Sequence, residues 1–429
     1  MIDNKEGYKK TKLGWIPEDW EVVKFGKYLD ISSGFGFKKN EYSNTGYKLV
    51  KIDNIGHGKI LWNNIDYIPF EYKSQYSQFL LQEDDILLAL NRPITQNKLK
   101  IAKIAVSDLP SVLYQRVGKI VFKQDKYHED FTFHLLTLFI FGFVIKNSVG
   151  SDQPFISLTQ LRNFKIPLPP LAQQQKIAQI LSTWEKTIQD TKTLIQEKQQ
   201  LKKGLMQKLF SQEWRFLDEK GEVFGDWEVK KLGTIVSTMQ SGISRKLSTY
   251  DIGYPILRSN NVIENRVNFE DLKFWKLVDD KGVDLKKYIL HDGDLLINFI
   301  NSISQIGKVA YFINSLRRDV IFTTNLLRVK LKKGINTNFI LFFFQTRAYK
   351  SHIHAITKPA INQASFTTKD LNSLKIPLPP LPEQKKIAHC LSTLDQEIHL
   401  LEQQQEQWEL QKKGLMQQLL TGKVRVLVA

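Results

Sequence analysis

With 429 residues, 42% of them hydrophobic and 24% charged, the chain exceeds one ordinary domain and has the composition of a globular protein with sizeable cores. Lys and Arg outnumber Asp and Glu by 61 to 44, and the resulting net charge of +17 favours a polyanionic partner. The longest apolar stretch, around Leu135 to Ile145, falls short of the roughly 20 residues a membrane-spanning helix needs, and the single cysteine, Cys390, excludes an internal disulfide and a Cys-rich zinc cluster. We expect no secretory leader and no membrane association, which leaves a nucleic-acid binder of the cytoplasm as the working class.

In chain order, Asp19-Trp20-Glu21-Val22 opens the first globular segment as a strand anchored in the core by Trp20. Short alternating stretches then predict strands at Ile60 to Trp62, Ile86 to Leu90 and Lys119 to Phe122, and an apolar run predicts a core helix near Phe131 to Phe143. KIPLPPL follows at Lys165 to Leu171, where proline excludes helix and predicts an extended connector. Behind it comes a proline-free, Gln- and Lys-rich segment ending in KKGLMQ, Lys202 to Gln207.

The chain then starts again. KIPLPPL returns at Lys375 to Leu381 and KKGLMQ at Lys412 to Gln417, both 210 positions on, and 14 of the 19 residues from Lys165 recur. Earlier parts correspond more loosely: Asp19 to Val22 with Asp226 to Val229, Ser33-Gly34 with Ser241-Gly242, and Val50 to Ile55 with Leu257 to Val262. Asp85 to Leu88 parallels Asp294 to Ile297, and Lys103-Ile104-Ala105 parallels Lys308-Val309-Ala310. Strands at Leu295 to Phe299 and Leu327 to Leu331 and one core helix at Phe339 to Gln345 complete the second copy. The organisation is therefore residues 1–162 globular, 163–211 connector and helix, 212–372 globular, and 373–429 connector and helix. Each globular part is α+β.

Both helical segments carry apolar residues at alternating spacings of four and three. The first seam runs through Ile177, Leu181, Trp184, Ile188, Thr191 and Ile195 and resumes at Leu205 and Leu209. The second runs through Ile387, Leu391, Leu394, Ile398 and Leu401, then Trp408, Leu415 and Leu419, and Lys198 and Gln405 interrupt the two seams. Such a seam needs a partner. The other copy is the economical one, in an antiparallel two-helix coiled coil with a pseudo-twofold axis that holds the domains at opposite ends of a rod and returns the C-terminus to the first domain. The alternative is that each helix packs on its own domain. Gly204 and Gly414, at matching positions, mark either a close helix approach or a helix end.

This order resembles type I restriction–modification specificity subunits, which carry two target-recognition domains separated by two repeated helical regions. The resemblance spans essentially the whole chain and rests on KIPLPPLAQQQKIAQIL, KIPLPPLPEQKKIAHCL, the two KKGLMQ blocks and the DWEV openings. It implies a non-catalytic subunit that binds double-stranded DNA, assembles with two methyltransferase subunits and, through that core, with restriction subunits. S-adenosylmethionine, ATP and Mg would then sit on those partners, with no cofactor on this chain.

The residues themselves offer no active site. Gly34-Phe35-Gly36-Phe37-Lys38 lacks phosphate-loop spacing, the eight histidines form no HExxH, and PLPP lacks the preceding Asn or Asp of an adenine methyltransferase. Asp226-x-Glu228-x-Lys230 reads as an opening strand anchored by Trp227 rather than as a nuclease motif. Arg, Lys, Asn and Gln can read bases, and three pairs of loop clusters carry them. The first is Asn91, Arg92, Thr95, Gln96 and Lys98, with Asn298, Asn301, Ser302 and Gln305 in the second copy. The second is Ser151, Asp152 and Gln153, with Lys358, Asn362 and Gln363. The third is Lys51 with Asn54, and Arg258 with Asn261. Because frameworks agree and loops differ, we expect two different half-sites about one DNA turn, roughly 34 Å, apart, with an unread spacer between them. A coiled-coil scaffold for protein partners and a self-contained methyltransferase are the competing readings.

Overall fold

The computed structural model describes residues 6–147, 155–263, 265–361 and 363–428. It divides into two compact units, Met1–Lys192 with Gln403–Ala429 and Thr193–Glu402, each holding one globular domain and parts of both long helices.

In the first unit the opening strand Glu21–Lys24 pairs antiparallel with Lys165–Leu168, so the KIPL connector is the second strand of a ribbon that closes the domain. Above it lies a five-stranded sheet in the order Leu29–Ser33, Val117–Phe122, Ile86–Ala89, Ile101–Lys103 and His57–Gly58, beside a three-stranded sheet built around Tyr47–Val50. The helix Glu129–Asn147 buries Phe131, Leu135, Leu136 and Ile140 against the first sheet. The second unit repeats this plan. Glu228–Lys231 pairs with Lys375–Leu378, and a six-stranded sheet is centred on Leu326–Leu331 and Leu295–Asn298. Both copies of the Ser-Gly pair are explained here, because a Cβ at Gly34 or Gly242 would collide with the carbonyl of Leu113 or Phe322.

Several expectations need correcting. Ile60–Trp62 is no strand; only Ile60 makes an isolated bridge, to Ile55. The second domain has two core helices, Thr337–Phe343 and Arg347–Ile356, where the first has one. The break falls where the Thr346 side chain accepts a hydrogen bond from the Tyr349 amide and so starts a new helix. The parallel of Lys308-Val309-Ala310 is Lys100-Ile101-Ala102 rather than Lys103-Ile104-Ala105, since Ile101 faces Leu88 as Val309 faces Ile297. Trp20 is fully buried as expected, whereas Trp227 is half-buried.

The two long helices span Leu171–Phe210 and Leu381–Leu420. In the second unit Lys198 pairs with Glu397 at 2.7 Å and Lys202 with Asp395 at 2.6 Å, and Leu205 and Leu209 share a core with Ile387 and Leu391. Partner numbers fall along one helix as they rise along the other, which makes the pairing antiparallel. In the first unit Glu185 meets Lys412, and Ile177 and Leu181 pack with Leu415 and Leu419. Ile195, Leu394 and Ile398 are buried, and Trp184, Ile188, Leu401 and Trp408 half-buried, along the same seams. The helix ends also enter the domain cores, so both packing modes anticipated for the seam operate. Gly204 and Gly414 fit neither expectation: both lie inside their helices with open space where a Cβ would stand.

The helix starts are tied to the domains by buried side-chain amides. Gln174 accepts a hydrogen bond from the His128 amide and donates to the carbonyls of Lys126 and Pro169. Gln384 accepts from the Asn336 amide and donates to the Pro379 carbonyl. Next to them, Gln173 accepts from the Trp20 indole at 2.7 Å and donates to Asp19, while Glu383 accepts from Trp227 at 3.0 Å and from the Arg215 guanidinium.

Candidate nucleic-acid interface

In the first domain the strand Ile86–Ala89 runs out into Asn91 and Arg92 and then into a hairpin, Ile94–Thr95 against Lys98–Leu99. Gln96 and Asn97 form its two-residue turn, both with positive φ (52° and 55°), and Arg92 also lies in the left-handed region at 47°. A tight hairpin requires that geometry at the turn, yet for Gln and Arg it costs on the order of 1 kcal/mol each. The loop is therefore held in shape rather than relaxed. His57 supports it from below: its Nδ1 donates to the Leu99 carbonyl at 2.9 Å, which leaves Nε2 to accept from the Thr95 hydroxyl at 3.3 Å. Arg92, Thr95, Gln96 and Lys98 are exposed, and Asn91 is half-buried in a bridge with Phe155. Among the described residues neither Arg92 nor Lys98 is bonded to a carboxylate, so both cations face solvent.

In the second domain the loop after the central strand is a turn over Ser302 to Ile306 rather than a hairpin. Ile300–Asn301 pairs with Ala364–Ser365, which pairs in turn with Lys358–Pro359. This small sheet brings Asn301 and Ser302 together with Lys358 and Gln363, two clusters that lie more than fifty residues apart in the chain. The Gln305 backbone N–H donates to the Ser302 carbonyl and closes the same loop. The buried Tyr349 of the additional helix donates to the Gly307 carbonyl at 2.8 Å and fixes the loop's end. Ser302, Lys358 and Gln363 are exposed, and Asn301 and Gln305 are half-buried.

Other candidates turn out to be framework. Asn54 is buried, accepts from the Lys51 amide and donates to the carbonyls of Leu61 and Asn64. Asn261 does the same with the Arg258 amide and the carbonyls of Asn268 and Glu270. Both amides are used up in building one turn twice, and neither is available to a base. Lys51 is bonded to Asp66, and Arg258 to Asp271 at 2.8 Å, so their charges are matched within the domain. Asn298 is fully buried and donates to the carbonyls of Ser259 and Gln305; it occupies the place of Ala89, not of Asn91. Ser151, Asp152, Gln153 and Asn362 lie outside the described residues.

The type I restriction modification DNA specificity domain matches twice, over residues 17–200 and 225–410. The chain belongs to this family. It is a DNA-sequence-recognition subunit of a type I restriction–modification system, not a catalytic one. A Methanocaldococcus jannaschii protein named as the MjaX type I restriction enzyme specificity subunit is 32% identical over 98% of this chain and 97% of its own. The MjaVIII specificity subunit of the same organism is 42% identical over 46% of each chain, and the Escherichia coli EcoKI specificity subunit is 24% identical over 89% of this chain and 83% of its own. Among solved structures, the specificity subunit from M. genitalium superposes with a TM-score of 0.55 at 14% identity, covering 94% of this chain and 96% of that one. A chain from a structural study of type I complex assembly gives 0.58 at 19% identity, covering 95% and 99%. These likenesses carry the fold: two recognition domains and two long helices.

Proposed function

We propose that each domain of this specificity subunit reads one half of a bipartite duplex site, the first through Asn91 to Lys98 and the second through Asn301, Ser302, Gln305, Lys358 and Gln363. One observation carries the reading. The framework is duplicated down to single hydrogen bonds, while the loop that leaves the central strand differs, a strained hairpin at Ile94 to Leu99 in one domain and a turn at Ser302 to Ile306 in the other. A shared scaffold with unlike faces suits a shared task on unlike half-sites. Phosphate contacts by the basic surface would supply affinity, and the exposed amides and cations would supply sequence.

In this reading two methyltransferase subunits dock along the exposed sides of the two helices, restriction subunits join through them, and S-adenosylmethionine, ATP and Mg act on those partners in the cytoplasm. No helix among the described residues is long and apolar enough to cross a membrane. Co-expression with the cognate methyltransferase in a host without other adenine methylation, followed by long-read mapping of modified bases, tests the proposal. A two-part motif with a fixed gap, losing one half when one domain is exchanged, is the expected result. A continuous motif, or none from a soluble complex, would overturn it. Inserting four residues into one long helix should change the gap and leave both halves intact.

A further inference from the structure

The second loop face carries a side chain that its polar surroundings do not explain. Ile361 stands at the tip of the hairpin formed by Lys358–Pro359 and Ala364–Ser365, closed by a 2.8 Å bond from the Ala360 amide to the Gln363 carbonyl. It is 100% exposed, the most exposed large hydrophobic residue among those described. Ile303, on the loop that follows Asn301, is 69% exposed. Hairpin tips favour Gly, Asn, Asp and Ser, which suit turn backbones and water; a β-branched hydrocarbon gains nothing there in the free protein. Around it are Asn301, Ser302, Lys358 and Gln363, the groups just assigned to base and phosphate contacts. The first domain offers an independent parallel, for Phe155 is 67% exposed beside Asn91.

We propose that Ile361 is a specificity-determining residue that recognises thymine, by packing on the C5 methyl group in the major groove of the second half-site. This rests on the reading of that domain as a DNA reader. A two-stranded ribbon is of a width that the major groove admits, and thymine alone among the four bases presents an apolar group there. Gln363 flanks the tip with an exposed amide suited to the N6 and N7 edge of adenine, so the face fits A·T pairs. The exposed turn of the first domain, at Gln96, is polar, which is one reason the two half-sites should differ.

The test uses the chain in complex with its methyltransferase and duplexes carrying the motif obtained from methylation mapping. Each thymine of the second half-site is replaced singly by deoxyuridine, which removes the methyl and keeps the pairing. One replacement should weaken binding of the unaltered protein about fourfold, the scale of one buried methyl group. Ile361→Ala should bind the thymine duplex more weakly by a similar factor and be indifferent to uracil at that one position, while binding of the first half-site is unchanged. As the side chain is fully exposed, the variant should keep its melting temperature. Indifference of the unaltered protein to every uracil, full affinity in Ile361→Ala, or a second half-site without A·T pairs would each overturn the assignment. Absence of any bipartite motif would instead remove the reading on which it rests.

Discussion

The two units join their helices to their domains with the same parts but different chemistry. In each, a lysine of one long helix pairs with a carboxylate of the other: Lys412 with Glu185, and Lys202 with Asp395. In the second unit this pair lies on a hydrocarbon surface, with the Lys202 ammonium 5.2 Å from the centre of the Phe342 ring. In the first unit His134 occupies that place, with its Nδ1 3.6 Å from Glu185. A second contrast sits at the helix starts, where the neutral Gln173 of the first unit is replaced in the second by Glu383, fully buried and held by Arg215. One half of the molecule thus keeps an ionisable group in the joint where the other keeps an apolar or neutral one. A fold can repeat without repeating its dependence on charge and pH.

The contrast can be broken most sharply at Arg215. Arg215→Ala strands the buried Glu383 carboxylate, and the second unit should lose about 3 kcal/mol, read by denaturant unfolding. Glu383→Gln in the same background, which copies the first unit, should recover much of the loss. His134 is next. Burial pushes its imidazole down to about 4 from an ordinary 6.5, the Glu185 carboxylate opposing and the Lys412 ammonium assisting. The unfolded chain takes up the proton before the folded one does. The contribution is therefore fully present above pH 6.5 and is lost as pH falls toward 4, about 2 kcal/mol between pH 7.5 and 5. His134→Phe, which installs the second unit's residue, should flatten that part of the pH–stability curve; an unchanged slope would show that other groups govern it.

Two smaller effects sharpen the picture. Gly204→Ala and Gly414→Ala meet open space inside helices and should each stabilise by up to about 1 kcal/mol in thermal unfolding. Arg425→Ala removes the partly exposed 3.2 Å pair with Asp19 and should cost no more than about 1 kcal/mol. If it cost as much as Arg215→Ala, the two joints would be energetically alike after all.

Much of this architecture could be read from the residues, because repetition is a signal independent of propensity. The recurring KIPLPPL and KKGLMQ blocks located both connectors and both helices, the four–three spacing of Ile177, Leu181 and their successors gave the seam, and the order of domains along the chain gave its antiparallel sense. The candidate interface was only partly legible. Asn, Lys and Arg look the same in sequence whether they meet a base or close a turn, and Asn54 and Asn261 proved to be turn builders that recur precisely because they are structural. Gln174 and Gln384 had the opposite history: their identity across copies was visible, but nothing local distinguishes a buried glutamine from a solvated one. His57 and Phe155 were missed because pairing between distant strands brings them to the loop face.

The ribbon that closes each domain has one more implication. Glu21–Lys24 and Lys165–Leu168 lie side by side, so everything between them leaves and re-enters through a doorway four residues wide. A domain hung in this way behaves as a cartridge. Its contents can be exchanged wholesale, with a different number of residues and a different loop plan, provided that the replacement fits the same two strands at the doorway, offers Gln174 the same backbone amide and keeps an apolar helix face for Ile177, Leu181, Leu415 and Leu419. New specificities would then arise by substitution of whole cartridges more readily than by point changes within one, because the rest of the molecule registers only the fittings.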